Sequence, residues 1–585
     1  MQGRQLLAAF MRRHAGRYAA GAAVLIFIDV LQLFIPRLLG GVADAYAGGR
    51  LTAAYAAGAA LKLLALALFI SLGRWGWRHF LLGASRKLEA ELRRRLFIHL
   101  QRMSSGYYAR RRVGDLMAHL TNDVQAVRMA AGQGVVLTVD AVFMTAAVTA
   151  MMVATADARL AAAAAGPLAL QAYGLTRAGR EVHRRFREVQ EGFSRLTEFV
   201  EENISGIRVV KSLAREAQEQ ARFDKVAAEQ MSKNVRLARV WAVMAPMTEA
   251  AVGMSYVIVL LFGGWLVLEG QISLGNFVAF AGYLGMLVWP LTSISWLINM
   301  LQRGRASLDR LAALLAEEPD VQELPGAVSP GRLTGRIEVR KLTFTYPGAT
   351  RPALAEVSLT VEPGQVVGIV GRTGSGKSTL AMLLLRLYDP PEGTIFYDGI
   401  DIRTIRLDEL RRQIGYVPQD NFLFSLSIAD NIAFGMEADG RALDERVQRA
   451  ARLAHIHDDV AAFPDGYASL VGERGIALSG GQKQRTAIAR ALVKDPRILI
   501  IDDALSAVDA ETEQQILEDL RRMLRGRTAI IITHRLSAVC DADQIVVLDE
   551  GAIVERGTHP ELLAGGGLYA RIYERQRLEA ELALS

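Results

Sequence analysis

At 585 residues, 51% of them hydrophobic and with a mean hydropathy of +0.19, the chain is too long for one domain and too apolar for a wholly water-soluble protein. Its net charge of +7 could suit a nucleic-acid partner. The clustered arginines lie in the connections between apolar stretches, however, where membrane topology accounts for them and no nucleic acid is called for. A single cysteine, Cys540, excludes an internal disulfide and a cysteine-based metal cluster, and reads as a small packed side chain.

The apolar content is concentrated in the first half. Crossing the hydrocarbon core takes about 20 apolar residues, and six stretches qualify: 18–39, 54–82, 132–155, 158–176, 240–268 and 273–300. Arg12, Arg13 and Arg17 precede the first, and Ala43-Asp44-Ala45 loosely imitates a cleavage site. The run is longer than a signal core and more spans follow, so it reads as an anchor. The third and fourth spans are joined so tightly that they form a hairpin.

Lysine and arginine accumulate on the cytoplasmic side of a membrane. Arg86, Lys87, Arg93, Arg94, Arg95, Arg102, Arg110, Arg111 and Arg112 follow the second span, and Arg177, Arg180, Arg184, Arg185 and Arg187 follow the fourth. The connection around Glu269 carries none. Both termini are therefore expected in the cytoplasm. In the long basic connections apolar residues recur at helical spacing, as in Leu88, Leu92, Leu96 and Phe97, so the spans should continue into the cytoplasm as rods. Turns are expected at Ser104 to Arg112 and Ile204 to Ser212, each touching the domain that follows. Asp29, Asp140 and Glu249 fall within spans, where a carboxylate faces a water-filled cavity or a partner helix, or lies at a solvated membrane edge.

Residues 317–335, rich in Pro, Gly and charge, read as a linker between a membrane domain, 1–316, and a second domain, 336–585. From Ile337 the pattern becomes strand-like: Ile337 and Val339 alternate, as do Leu342 and Phe344, then Val357, Leu359 and Val361. After an apolar strand, Val366 to Val370, comes Gly371-Arg372-Thr373-Gly374-Ser375-Gly376-Lys377-Ser378-Thr379. This is a phosphate-binding P-loop. Its glycines let backbone N–H groups turn toward phosphate, the following helix offers its positive end, Lys377 reaches the terminal phosphates and Ser378 ligates Mg²⁺. Arg497 to Asp503 forms a second apolar strand ending in two carboxylates, of which Asp502 is placed to hold Mg²⁺ through water.

Leu478-Ser479-Gly480-Gly481-Gln482 is identical to the signature motif of ABC ATPases, and it precedes the Asp502 strand as that family requires. Along its whole length the chain resembles the ABC exporters that fuse six membrane helices to one cytoplasmic α/β P-loop ATPase domain. The resemblance implies that Tyr346 stacks on adenine and that Gln419, in Tyr416-Val417-Pro418-Gln419, senses Mg²⁺. It likens Gly472-Glu473-Arg474-Gly475 to the exporter X-loop, Ser506-Ala507-Val508-Asp509 to the D-loop and His534 to the switch histidine at the γ-phosphate. It further implies ATP and Mg²⁺ as cofactors, and two ATPase domains closing head to tail so that each ATP lies between one P-loop and the partner's Ser479-Gly480-Gly481-Gln482. The fold class expected is thus a membrane all-α domain plus a cytoplasmic ABC ATPase domain, in the inner membrane of a bacterium.

One departure stands out. Where most of the family carries a glutamate that polarises the attacking water, this chain has Asp503. General-base placement is worth roughly 10² to 10⁴ in rate, so the site on this P-loop should bind ATP yet turn it over slowly. In this it resembles the degenerate-site subunit of heterodimeric bacterial multidrug exporters of the BmrC/BmrD type. The expected partner is a second half-transporter chain carrying a catalytic glutamate, and the expected cargo is an amphipathic small molecule or membrane lipid. A homodimeric lipid flippase and an ATP-gated channel or regulatory subunit remain as alternatives. Trp241, Met244, Met247, Tyr256, Tyr283 and Trp289 are candidates for the cavity wall, and equally for lipid-facing or interface anchors.

Overall fold

The computed structural model describes residues 3–436, 440–472, 478–503, 518 and 526–584. The chain divides into two compact units, one of Met1–His99 with Gly114–Glu317 and one of Leu100–Val113 with Glu318–Ser585.

The first unit is helical. A short amphipathic helix α1 (Gly3–Arg13) leads into α2 (Ala15–Ala47), followed by α3 (Ala53–Arg102), which runs on to the short helix α4 (Ser105–Ala109) of the second unit. The helices α5 (Val113–Thr155), α6 (Ala158–Ser205), α7 (Ile207–Ser212), α8 (Glu216–Leu268) and α9 (Leu274–Ala316) follow. Among the described residues, α2, α3, α5, α8 and α9 are long and apolar enough to cross a membrane. The expected fourth span, 158–176, forms the first part of α6 and is not among them; its apolar run is built mainly of alanine, the least apolar of the aliphatic side chains, and is interrupted by Pro167. At 1.5 Å per residue the 50 residues of α3 extend about 75 Å, against a hydrocarbon core of about 30 Å. The helix is long enough for the expected rod to continue past the hydrocarbon core.

Close helix crossings hold this unit together. A Cβ on Gly40 of α2 would lie 2.3 Å from the Gly275 carbonyl oxygen of α9, so only glycine lets these backbones meet. Asp44, four residues on, accepts from the Gly275 N–H at 2.6 Å and from the Ser273 hydroxyl at 2.9 Å, satisfying orphan groups at the start of α9. The segment that imitates a cleavage site is therefore a helix cap. Lower down, Asp123 of α5 accepts from Ser307 at 2.8 Å and from Arg310 Nε at 3.1 Å, and pairs with His119 at 2.7 Å, tying α5 to α9.

The second unit carries two sheets. β1 (Ile337–Phe344), β2 (Leu354–Val361), β4 (Ile395–Tyr397) and β5 (Ile400–Asp401) form an antiparallel sheet in the order β2-β1-β4-β5. The larger sheet, in the order β10-β9-β3-β8-β7-β6, comprises β3 (Val366–Gly371), β6 (Ile414–Val417), β7 (Ile498–Asp502), β8 (Thr528–Ile532), β9 (Gln544–Asp549) and β10 (Ala552–Gly557). All its pairings are parallel except that of β9 with β10. Every residue of β7 and β8 is buried, the mark of a parallel sheet covered on both faces.

Candidate active site

Parallel pairing sets the ends of four strands along one edge. Val417 of β6 is in register beside Ile501 of β7, and Asp502 beside Ile532 of β8, which itself lies beside Ile369 of β3. The loops after these strands hold Gln419, Asp503, His534 and Gly371 to Gly376. Such a carboxyl edge is where ligands bind in open α/β sheets.

Helix α10 (Lys377–Leu384) begins directly after the glycine-rich loop. Gly376 has φ of +98°, and a Cβ there would lie 2.6 Å from the Ala353 carbonyl oxygen, so the turn demands glycine. The loop closes on Lys377, whose ammonium donates to the carbonyls of Gly371 at 2.9 Å and Arg372 at 2.8 Å and reaches the Ser375 hydroxyl at 3.4 Å. Burial lowers its pKa, while Asp503 and Asp502 oppose that shift. A buried cation held by neutral carbonyls inside a cradle too narrow for side chains fits a polyphosphate well. Ser378 donates to Asp502 at 3.1 Å, bringing together the hydroxyl and carboxylate expected at Mg²⁺. Burial raises the Asp502 pKa and the adjacent Asp503 adds to this, against the pull of Ser378, Lys377 and His534.

Asp503 follows β7 with φ of +48°, a left-handed conformation that aspartate tolerates better than most residues. Its N–H donates to the Ile532 carbonyl at 2.8 Å and its Oδ1 accepts from the His534 N–H at 3.4 Å, so the acid and the histidine are held side by side. Burial lowers the His534 pKa, and nearby Lys377 adds to this. Gln419 is exposed just beyond β6. The Tyr346 hydroxyl donates to Thr379 at 3.0 Å and its ring meets Tyr388 edge-on, which sets it beside α10.

A cavity of about 520 Å³ opens here, walled by Arg372, Thr373 and His534 on one side and by Arg571, Arg575 and Gln576 of α12 (Leu568–Leu584) on the other. Gln576 donates to the His534 carbonyl at 2.6 Å and accepts from the Leu536 N–H at 3.0 Å, clasping the segment after β8 from both ends. No motif marks this glutamine, which lies in a polar helix remote in sequence from the P-loop.

Ser479 caps helix α11 (Gly480–Leu492) in a reciprocal capping box with Gln482, whose amide also donates to Asp459 at 3.0 Å. Ser479 and Gly480 are exposed, Gly481 is half-buried, and none of these residues lines the P-loop cavity. Sequence reading also missed Arg490 of α11. It donates to the Asn431 carbonyl at 2.8 Å and to the Phe422 carbonyl at 2.9 Å, joining the signature helix to the segment beyond Gln419. The one signal was a lone charge between Ala489 and Ala491, both of which the structure buries. Of the proposed X-loop only Gly472 lies within the described residues, and the proposed D-loop, 506–509, lies outside them.

The first expected turn belongs to the second unit. Ser104 and Arg110 both donate to Asp320, at 3.1 and 2.7 Å, and a Cβ on Gly106 would lie 2.9 Å from the Tyr388 ring. Tyr388 is the ring that meets Tyr346, so this turn connects through two aromatics to the P-loop helix. The second turn lies in the first unit, with Ile204, Ile207, Val209 and Leu213 exposed. Of the candidate cavity wall, Trp241, Met247, Tyr256 and Trp289 are exposed. Met244 is buried, and the fully buried Tyr283 donates to the Leu33 carbonyl at 2.9 Å, so Tyr283 packs the helix bundle instead. Among the span carboxylates Asp29 is only 3% exposed, Asp140 half-buried and Glu249 exposed.

Comparison with known proteins bears directly on this arrangement. Residues 19–291 match the family described as the ABC transporter transmembrane region, and residues 354–506 match the ABC transporter family. The chain is 42% identical over 572 residues to a probable multidrug resistance ABC transporter ATP-binding/permease protein, YheI, of Bacillus subtilis, covering 97% of each. The chain belongs to the ABC transporter family. It is 40% identical to the multidrug resistance-like ATP-binding protein MdlA of Escherichia coli, covering 98% of this chain and 96% of that one. To the ATP-dependent lipid A-core flippase of Pseudomonas fluorescens it is 37% identical, over 88% and 84%. A solved bacterial Atm1-family ABC exporter with ATP bound superimposes with a TM-score of 0.75 at 29% identity, covering 97% of this chain and 99% of that one. The protein is thus an ABC exporter with a helical membrane domain and an ATP-binding domain, an ATPase coupled to transport.

Proposed function

We propose that this chain is one half of a bacterial inner-membrane exporter with six spans, 158–176 being the fourth, that moves amphipathic small molecules or lipids by alternating access. Residues 1–316 serve as membrane domain, 317–335 as linker and 336–585 as ATPase domain, with both termini cytoplasmic. In this reading Tyr346 meets adenine, and the loop Gly371, Arg372, Thr373, Gly374, Ser375, Gly376, Lys377, Ser378 and Thr379 cradles phosphate. Ser378, Asp502 and Gln419 hold Mg²⁺, and Asp503 and His534 face the attacked phosphate. Bound Mg·ATP supplies the anhydride whose hydrolysis resets the transport cycle.

The observation that carries the proposal is the exposed signature. Ser479 and Gly480 crown a capped helix but lend no wall to the P-loop cavity of their own domain, so a second chain completes the site. The exposed apolar turn at Ile207 and Val209 is a further surface suited to a partner. Replacing Cys540 by serine removes the sole thiol, after which Thr373→Cys and Ser479→Cys should form an ATP-dependent disulfide between chains. A crosslinked dimer of this chain alone makes it a homodimer, and crosslinking only with a co-expressed partner that carries cysteines at its own corresponding P-loop and signature positions makes it a heterodimer. An intramolecular disulfide would overturn the proposal. Asp503 favours the heterodimer, because two slow sites would leave a homodimer without an efficient one. The likeness to a lipid A-core flippase supports a second reading, a homodimeric lipid flippase, and movement of labelled lipid rather than dye would decide for it.

A further inference from the structure

Helix α1 and the cytoplasmic stretch of α3 enclose a second cavity of about 500 Å³, remote in sequence from every motif of the ATPase domain. Three cations line it, Arg13, Lys87 and Arg95, against one carboxylate, Glu91, which is bonded to Arg95 at 2.6 Å. Among the described residues neither Arg13 nor Lys87 has an ion-pair partner. The remaining walls are apolar, with Leu88 and Leu92 each 1% exposed beneath the cations and Phe10 beside them. His14 stacks on Phe10 at 4.2 Å and bonds its carbonyl at 3.2 Å, which holds that wall in place. Arg13 stands immediately before the apolar helix α2, and Lys87 stands just past the second apolar stretch. With both termini cytoplasmic, the reading proposed above on which this inference rests, the cavity lies where hydrocarbon gives way to cytoplasmic water.

We infer that this cavity binds the headgroup of an anionic phospholipid of the cytoplasmic leaflet, Arg13 and Lys87 receiving the phosphodiester while Ala9 and Phe10 meet the start of the acyl chains. Two unpaired cations over an apolar floor suit a ligand that is anionic at one end and hydrocarbon at the other. A soluble anion would leave the accessible apolar wall of Ala9 and Phe10 without a partner, and a zwitterionic headgroup would bring its own cation against Arg13 and Lys87. Each basic residue near an anionic surface contributes about five-fold in binding, and two together about thirty-fold. The inference does not depend on what the exporter carries.

The test uses the full chain in detergent, titrated with phosphatidylglycerol or with phosphatidylcholine of the same acyl chains, and native mass spectrometry to count retained lipid. The wild type should retain phosphatidylglycerol preferentially, and R13Q/K87Q should bind it about thirty-fold more weakly. R12Q/R17Q, which removes two charges outside the cavity, should bind it normally, and R13K/K87R should restore binding and report intact folding. No headgroup preference in the wild type, an equal loss in R12Q/R17Q, unchanged binding in R13Q/K87Q, or displacement of the lipid by excess inorganic phosphate would each overturn the inference.

Discussion

Replacing Asp503 by glutamate tests the chemistry of this site most directly. Asp503 is anchored at both ends, its N–H on Ile532 and its carboxylate at the His534 N–H, so the chain cannot swing to bring a short acid closer to a water. The substitution lengthens the side chain by one carbon–carbon bond, about 1.5 Å. A misplacement of about 1 Å can cost roughly 100-fold in rate, or about 2.7 kcal/mol of barrier. Asp503→Glu should therefore raise ATP turnover at this P-loop by about 100-fold, with little change in the ATP concentration at half-maximal rate. It should also lower stability by about 1 kcal/mol, because φ of +48° suits aspartate better than glutamate. The assay is phosphate release in lipid nanodiscs by the full chain assembled with the second chain that the crosslinking identifies, with Asp503→Asn as the control. Fast turnover in the wild type that Asp503→Asn abolishes, with no gain in Asp503→Glu, would refute the account of a misplaced base.

Gln576→Ala removes two hydrogen bonds from the segment holding His534, each worth about 1 kcal/mol. The maximal ATPase rate should fall about ten-fold with ATP affinity nearly unchanged, as steady-state kinetics would show. Stability should also depend on pH through His534, whose pKa in the folded domain lies below its ordinary value of 6.5. The unfolded chain then takes up the proton more readily, so the histidine's contribution is fully present above about pH 6.5 and is lost as pH falls through the folded value. Thermal unfolding with and without His534→Gln should give curves that differ increasingly below pH 6.5 in that direction.

Wherever a physical constraint acts along the chain, the sequence by itself was decisive. Backbone in lipid must satisfy its own hydrogen bonds, so long apolar runs announced membrane helices, and helical spacing in Leu88, Leu92 and Leu96 announced their continuation beyond the bilayer. A loop that turns through positive φ leaves glycines at Gly371, Gly374 and Gly376, and a parallel strand buried on both faces leaves runs such as Ile498 to Ile501. The expected fourth span, 158–176, is not among the helices long and apolar enough to cross a membrane in the described residues, because alanine contributes little hydropathy to the start of α6. Tertiary structure alone decided what depends on meeting across distance. Asp44 carried no role in the sequence until it was seen to cap α9, Tyr283 was a candidate cavity wall until its hydroxyl was found on Leu33, and Gln576 and Arg490 carried no motif at all. The physical reason is the same in each case: a hydrogen bond joins atoms that are near in space, and local sequence pattern reports only what is near along the chain.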